Sequence, residues 1–340
     1  MNYIGSKLTL LPFLEEVFRQ VTDGSEKVFC DLFAGTGAVG RHFKDLGLKV
    51  IANDLQYYAY VLNKAYLEIH TTPDFTGLRS LSPQDPLAFI NELPGVTGFI
   101  THHYSPAGGR MYYTEANAQK ADAIRQAIEV WHREGVITEQ EYFYVLCSLL
   151  EAIDQVANTA SVYGAYLKKF KASALRPLQL KPLQLTCHAA DCHAQQKDAN
   201  QLIAEIECDV LYLDPPYNHR QYGANYHVLE TIAAYDNPSL RGLTGLRDYP
   251  KSAYCRSDAA QTAMEQLIRA ARTTHILVSY NDEGVMSLTD IQELLSLRGE
   301  PKLFQTPYNR FKADNGRAYK RDATIEYVHY VKVVKAATVS

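Results

Sequence analysis

Four consecutive residues, Asp214-Pro215-Pro216-Tyr217, follow an apolar run, Val210-Leu211-Tyr212-Leu213, and carry the clearest chemistry in the chain. Two prolines fix φ and lack amide hydrogens, so the tetrapeptide leaves its strand rigid and extended. At the carboxyl end of a strand in an open parallel sheet, such a segment faces the ligand crevice. An amine nitrogen there can donate to the Asp214 carboxylate and to the Pro215 carbonyl while the Tyr217 ring stacks on a flat base. Two acceptors turn the lone pair toward an electrophile and stabilise the positive charge that grows as a methyl is attached. Neither a metal nor a covalent intermediate is required. An ordinary strand-to-loop junction is the plainer alternative.

A second cluster, Asp31-Leu32-Phe33-Ala34-Gly35-Thr36-Gly37, places two glycines where backbone must pass close to a ligand between strand and helix. The spacing is not G-x-G-x-x-G, which argues against a nicotinamide oxidoreductase. Asp54, at the end of the next strand pattern, is positioned to accept two ribose hydroxyls, so the pair favours a nucleoside cofactor.

These residues need a frame. Helical spacing covers residues 9 to 22, a strand Val28 to Leu32, a helix Ala38 to Leu46, a strand Lys49 to Asn53 and a helix 55 to 69. That alternation predicts a Rossmann-like α/β fold with a mostly parallel sheet. Prolines and glycines from 70 to 110 exclude long regular elements, and helices return over Asn117 to Trp131 and Glu139 to Asn158. Strands resume at Leu183 to His188, Asp209 to Leu213, His275 to Tyr280, Pro301 to Thr306 and Ala323 to Val334. Helices are expected at about 195 to 205, 225 to 235, 257 to 272 and 287 to 297, and the last two strands form an antiparallel hairpin. The expected organisation is a catalytic and cofactor-binding domain from 1–69 and 183–340, interrupted by a mainly helical insertion, 70–182.

Composition narrows the class. The chain of 340 residues is 46 % apolar and 21 % charged, with a formal net charge of -4, so any phosphate-binding surface must be a local patch. Its start reads as neither a signal peptide nor a membrane span, and six scattered cysteines fit a reducing, cytoplasmic setting. Cys187-His188 and Cys192-His193 suggest half of a metal cluster, but nothing completes four ligands and no metal is expected.

Taken together, the motifs resemble those of the adenine-N6 DNA methyltransferases of the D12, Dam-like, alpha-order class. Asn2-Tyr3-Ile4-Gly5-Ser6-Lys7 is similar to the N-terminal motif of that class, which implies that Tyr3 and Lys7 reach S-adenosyl-L-methionine. The resemblance gives Asp31, Phe33, Ala34, Gly35, Thr36 and Gly37 to the cofactor loop, Asp54 to the ribose and Asp191 to the cofactor's adenine amine. It gives Asp214, Pro215, Pro216 and Tyr217 to catalysis. The following run, Asn218 to Tyr222 with Asn225-Tyr226-His227 and Glu230, looks more like the FokI-type methyltransferases that accompany restriction enzymes than like Dam itself. Tyr3 and Ser6 replace the Trp and Gly usual in Dam, and the insertion does not match Dam's, so no target sequence carries over.

Residues 155 to 190 hold Lys168, Lys169, Lys171, Arg176 and Lys181 and no acid, a candidate phosphate-facing edge. Arg110, in a Gly- and Tyr-rich segment from His102 to Tyr113, is a candidate base contact. Arg310 and Lys312 would grip phosphates near the target, and Arg220 and Tyr222 would brace the displaced strand once a base is flipped. The implied partner is double-stranded DNA, with a cognate restriction endonuclease as functional companion. RNA adenine N6 and cytosine N4 present a comparable amine and remain open, as does an inactive nucleic-acid-binding scaffold.

Overall fold

The computed structural model describes residues 7–187, 191–217, 221–281, 284–309 and 323–334. In chain order the elements are α1 (Leu11–Val21), β1 (Val28–Asp31), α2 (Ala38–Asp45), β2 (Lys49–Asn53), α3 (Tyr57–Asn63), α4 (Thr76–Leu81), α5 (Pro86–Glu92), α6 (Phe99–Tyr104), α7 (Glu115–Arg133) and α8 (Glu139–Gln155). They continue with β3 (His193–Gln195), α9 (Ala199–Glu205), β4 (Val210–Leu213), α10 (Tyr222–Asn225), α11 (His227–Ala234), α12 (Ala260–Ala270), β5 (His275–Asn281), α13 (Leu288–Ser296), β6 (Pro301–Asn309) and β7 (Ala323–Lys332).

Packing divides the chain into two units. The sheet unit takes Gly5–Leu55, His188–Gln221 and Lys251–Ser340. Its seven strands run in the order β3-β2-β1-β4-β5-β7-β6. The first five are parallel, and β7 and β6 are antiparallel. Apolar side chains on successive strand positions make β4 and β5 buried on both faces, as a sheet covered by helices requires. The chain reverses its direction of winding between β1 and β4, so the crevice at their carboxyl ends is the place where such a sheet takes a ligand.

The helical unit takes Gln56–Cys187 and Tyr222–Pro250. Its centre is α8, buried without interruption from Glu141 to Leu150 and opened by a capping box between Thr138 and Glu141. These boundaries differ from 69/70 and 182/183. α3 belongs here because Glu230 of α11 accepts the Tyr57 and Tyr58 amides at 3.0 and 2.9 Å, satisfying two orphan donors at the start of α3. The expected strand from Leu183 is not formed. Leu183 is buried in the helical core and its amide donates to the Tyr144 hydroxyl at 3.1 Å, while the third parallel strand is the three-residue β3. Residues 70 to 110 do form regular structure, three helices of at most seven residues. Among the described residues no helix is long and apolar enough to cross a membrane.

Candidate active site

Two acids, Asp31 buried and Asp214 half-buried, end adjacent strands at the switch point. Asp31 closes β1 and is 1 % exposed, and Asp214 follows β4. Neither Asp31 oxygen has an aligned hydrogen-bond partner among the described residues. Burial and the Asp214 charge push the Asp31 carboxyl up to about 8, with partial relief from the Gly40 amide in the first turn of α2. An ionised carboxylate in that position is costly until a cation reaches it.

Around Asp31 the backbone forms a cradle. Gly35 and Gly37 take positive φ, 52° and 76°, which side chains resist, and Gly37 leads directly into α2. The Gly35 amide donates to Asp54 Oδ2 at 2.9 Å, fixing the half-buried Asp54 at the end of β2. Asn53 ties this edge together: its Nδ2 donates to Leu32 O and Lys197 O at 3.2 and 3.1 Å, and its Oδ1 accepts the Lys197 amide at 3.0 Å. Ala34 and Thr36 lie in the same turn, Ala34 donating its amide to Asn53 O at 2.8 Å. Phe33 presents a half-buried ring whose edge-on neighbour is Tyr254, 5.1 Å away, and Tyr254 donates its hydroxyl to Asn200 Oδ1 at 2.6 Å.

Beside β4, Lys7 is 4 % exposed, and its Nζ lies 3.1 Å from Asp214 Oδ1, 3.7 Å from Glu326 Oε2 and 5.7 Å from the Tyr217 ring centre. Burial opposes the lysine charge, but Asp214 and Glu326 outweigh it and hold the pKa well above the usual value. Burial lifts Asp214 to about 6; Lys7 lowers it, and Glu326 adds to the rise. Lys7 engages Asp214 through Oδ1, and a carboxylate has a second oxygen with which to accept an incoming N–H. Pro215 is buried and Pro216 half-buried, which stiffens the exit from β4. The Tyr217 carbonyl accepts the Val285 amide at 2.8 Å, and its ring meets Tyr280 edge-on at 5.5 Å.

The arrangement gathers a buried carboxyl at Asp31, a half-buried carboxylate at Asp54 and the Asp214 carboxylate beside Lys7, all at strand ends of one sheet. Residues 3–294 match the family model described as D12 class N6 adenine-specific DNA methyltransferase. The chain belongs to that family. It is 46 % identical to the type II methyltransferase M.NlaIII of Neisseria lactamica, over 98 % of this chain and 99 % of the other. It is 40 % identical to M.FokI of Planomicrobium okeanokoites, over 98 % of this chain but 52 % of the other, so it spans about half of that relative. The type II methyltransferase M.CviAII of Paramecium bursaria Chlorella virus 1 is 36 % identical over 92 % and 93 % of the two chains.

Not every expected residue joins this family site. Asp191 stands at the amino end of β3, 74 % exposed, bonded to Lys49 Nζ at 3.3 Å and His193 Nε2 at 3.0 Å. Register puts His193 opposite Ile51 and Gln195 opposite Asn53, so Asp191 is level with Lys49, roughly 16 Å along the sheet from Asp54 at ~3.3 Å per residue. The acid that follows the carboxyl end of β3 is Asp198, which also caps α9 by accepting the Asn200 and Gln201 amides at 3.0 and 3.2 Å. Glu326 was not anticipated either; an acid inside the alternating strand pattern of β7 was the available signal.

In the helical unit, Lys168, Lys169 and Arg176 are exposed, but Lys171 is partly buried and spends its ammonium on Thr159 O at 2.7 Å. Arg110 donates to the carbonyls of His103, Gly242 and Leu243 at 3.0, 3.1 and 3.0 Å, so its guanidinium braces loops. Tyr104, Tyr112 and Tyr113 from the same segment are fully buried. Tyr222 is half-buried and stacks on Tyr226 at 6.3 Å. Tyr3, Arg220, Arg310 and Lys312 lie outside the described residues.

Proposed function

We propose that this chain transfers the methyl group of S-adenosyl-L-methionine to adenine N6 at a specific site in double-stranded DNA after flipping the base, as the modifying half of a restriction-modification pair. The cofactor reading rests on one observation above others: a buried carboxyl group at Asp31 whose two oxygens have no aligned partner among the described residues, which suits the α-ammonium of the methionine moiety. Asp54 suits the ribose hydroxyls, and Phe33 with Tyr254 suits an apolar flank for adenine. Asp198, at the carboxyl end of β3, takes the role first given to Asp191.

When bound, the cofactor supplies an activated methyl group. The chain supplies position and charge. Asp214 and the Pro215 carbonyl accept the two N6 hydrogens and aim the lone pair; Tyr217, held edge-on by Tyr280, stacks on the base. As the nitrogen turns cationic, Asp214 stabilises the charge and accepts the departing proton, while Lys7 keeps the carboxylate ionised and in place. The helical unit, with exposed Lys168, Lys169 and Arg176, is assigned to target recognition. Such an enzyme works in the cytoplasm of a prokaryotic or phage-infected cell.

Incubation with labelled S-adenosyl-L-methionine and plasmid DNA tests this: label in N6-methyladenine is expected. Label in cytosine, or in RNA alone, would move the substrate to the competing amines.

A further inference from the structure

Within the sheet unit, Tyr217 is gripped by β5 and the segment that follows it. Tyr280, the last residue but one of β5, is fully buried, and its ring centre lies 5.5 Å from that of Tyr217 with the two planes at 62°. Two consecutive amides beyond β5 close on this ring pair. The Val285 amide donates to Tyr217 O at 2.8 Å, and the Met286 amide donates to the Tyr280 hydroxyl at 3.2 Å. Backbone and ring of Tyr217 are therefore both tied to one short stretch of chain, which the buried Met286 side chain anchors in the core.

Gly284 lets that stretch lie so close. A Cβ at this position would fall 2.0 Å from Tyr280 Cε1, 2.6 Å from Cζ and 2.8 Å from the hydroxyl, so no other residue fits without moving the ring. The demand is for space, since Gly284 does not take a positive φ. Tyr280 cannot retreat to provide it, because β5 is buried along its whole length and is paired by β4 on one side and β7 on the other. The prolines before Tyr217 stiffen its backbone but leave its side-chain torsions to be set by neighbours. Edge-to-face packing against a ring that is itself locked sets them. A stacking platform ordered in advance removes that entropy cost when a base arrives.

We infer that Tyr280 and Gly284 are positioning residues for the methyl transfer: Gly284 seats the Tyr280 ring, and that ring sets the plane in which Tyr217 receives the target base. The inference rests on the reading that Tyr217 stacks on the flipped base.

The test measures single-turnover methylation, at saturating cofactor, of a duplex carrying the site identified by methylation sequencing. Gly284→Ala and Tyr280→Leu should each slow the step about tenfold and leave affinity for S-adenosyl-L-methionine within about twofold, whereas Tyr280→Phe, which keeps the ring, should stay within about threefold of wild type. In a Tyr217→Ala background the first two changes should add no more than about twofold, because they act through the ring already removed. Equal cost in both backgrounds, no cost in either, or a matching loss of cofactor affinity overturns the inference. A second readout needs no turnover: with 2-aminopurine in place of the target adenine, whose emission stacking quenches, the Gly284→Ala complex should be as bright as the Tyr217→Ala complex. Emission at the wild-type level would likewise overturn the inference. A Tyr217→Ala rate equal to that of the wild type would instead overturn the stacking reading beneath it.

Discussion

Lys7 Nζ lies 3.1 Å from Asp214 Oδ1 and 3.7 Å from Glu326 Oε2, so one buried lysine serves two acids. The two neighbours act on Asp214 in opposite directions: Lys7 lowers its pKa and Glu326 raises it. Activity that needs Asp214 ionised should rise with pH through about 6. Lys7→Gln should move that limb upward and Glu326→Gln downward, each by about one unit, in profiles of kcat/KM from pH 5 to 8. Limbs that stay in place in both variants would mean that another group titrates.

Glu326 is a positioning residue, acting through Lys7. Replacing it with Gln is expected to cost about three- to tenfold in kcat near neutral pH and to leave KM for the cofactor within about twofold. A loss confined to KM would place it in binding instead.

Asp31 carries a stability signature with a definite sign. Its folded pKa of about 8 exceeds the unfolded value of 3.8, so its contribution is fully present below about pH 4 and is lost as pH rises through 8. Asp31→Asn should therefore raise Tm by at least ~3 °C at pH 9 and little at pH 5, while weakening cofactor binding by roughly tenfold or more. In the wild type, binding of a cationic amine should release up to about one proton near pH 7, measurable by calorimetry in buffers of different ionisation enthalpy.

Asp191 and Asp198 are separated by one test. Asp191→Asn should leave cofactor affinity within about twofold, because the residue sits at the far end of its strand. Asp198→Asn keeps a side chain able to cap α9 yet removes the charge, and should weaken binding about fivefold or more. The reverse ranking would restore the residue first favoured by its place in the sequence.

Much of this was legible in the sequence because local rules and the fold agreed. β1, the glycine turn, α2 and β2 follow one another with clear periodicity, and two prolines announce the rigid exit after β4. β3 was missed because His193-Ala194-Gln195 is too short and polar to show alternation, whereas Leu183 and Leu185 mimic a strand while packing against the helical core. Asp191 was given to the cofactor by the family resemblance, through its place before Asp214, and the register of β3 sets it level with Lys49. The tyrosines near 104 to 113 look like loop aromatics, but burial turns them into struts, with Arg110, for a loop more than a hundred residues away. Side-chain bonds of that span leave no periodic trace. The role of α3 in the helical unit likewise depends on Glu230, which only the folded chain brings to Tyr57 and Tyr58.

The central claim is that Asp214 orients an adenine amine for methylation. It is tested most directly by nucleoside analysis of DNA labelled from S-adenosyl-L-methionine by wild type and Asp214→Ala, with cofactor affinity measured alongside. The expected result is label in N6-methyladenine for the wild type and a fall of about a hundredfold or more in the variant with cofactor binding retained. Label on another base, or an Asp214→Ala rate near that of the wild type, would contradict it.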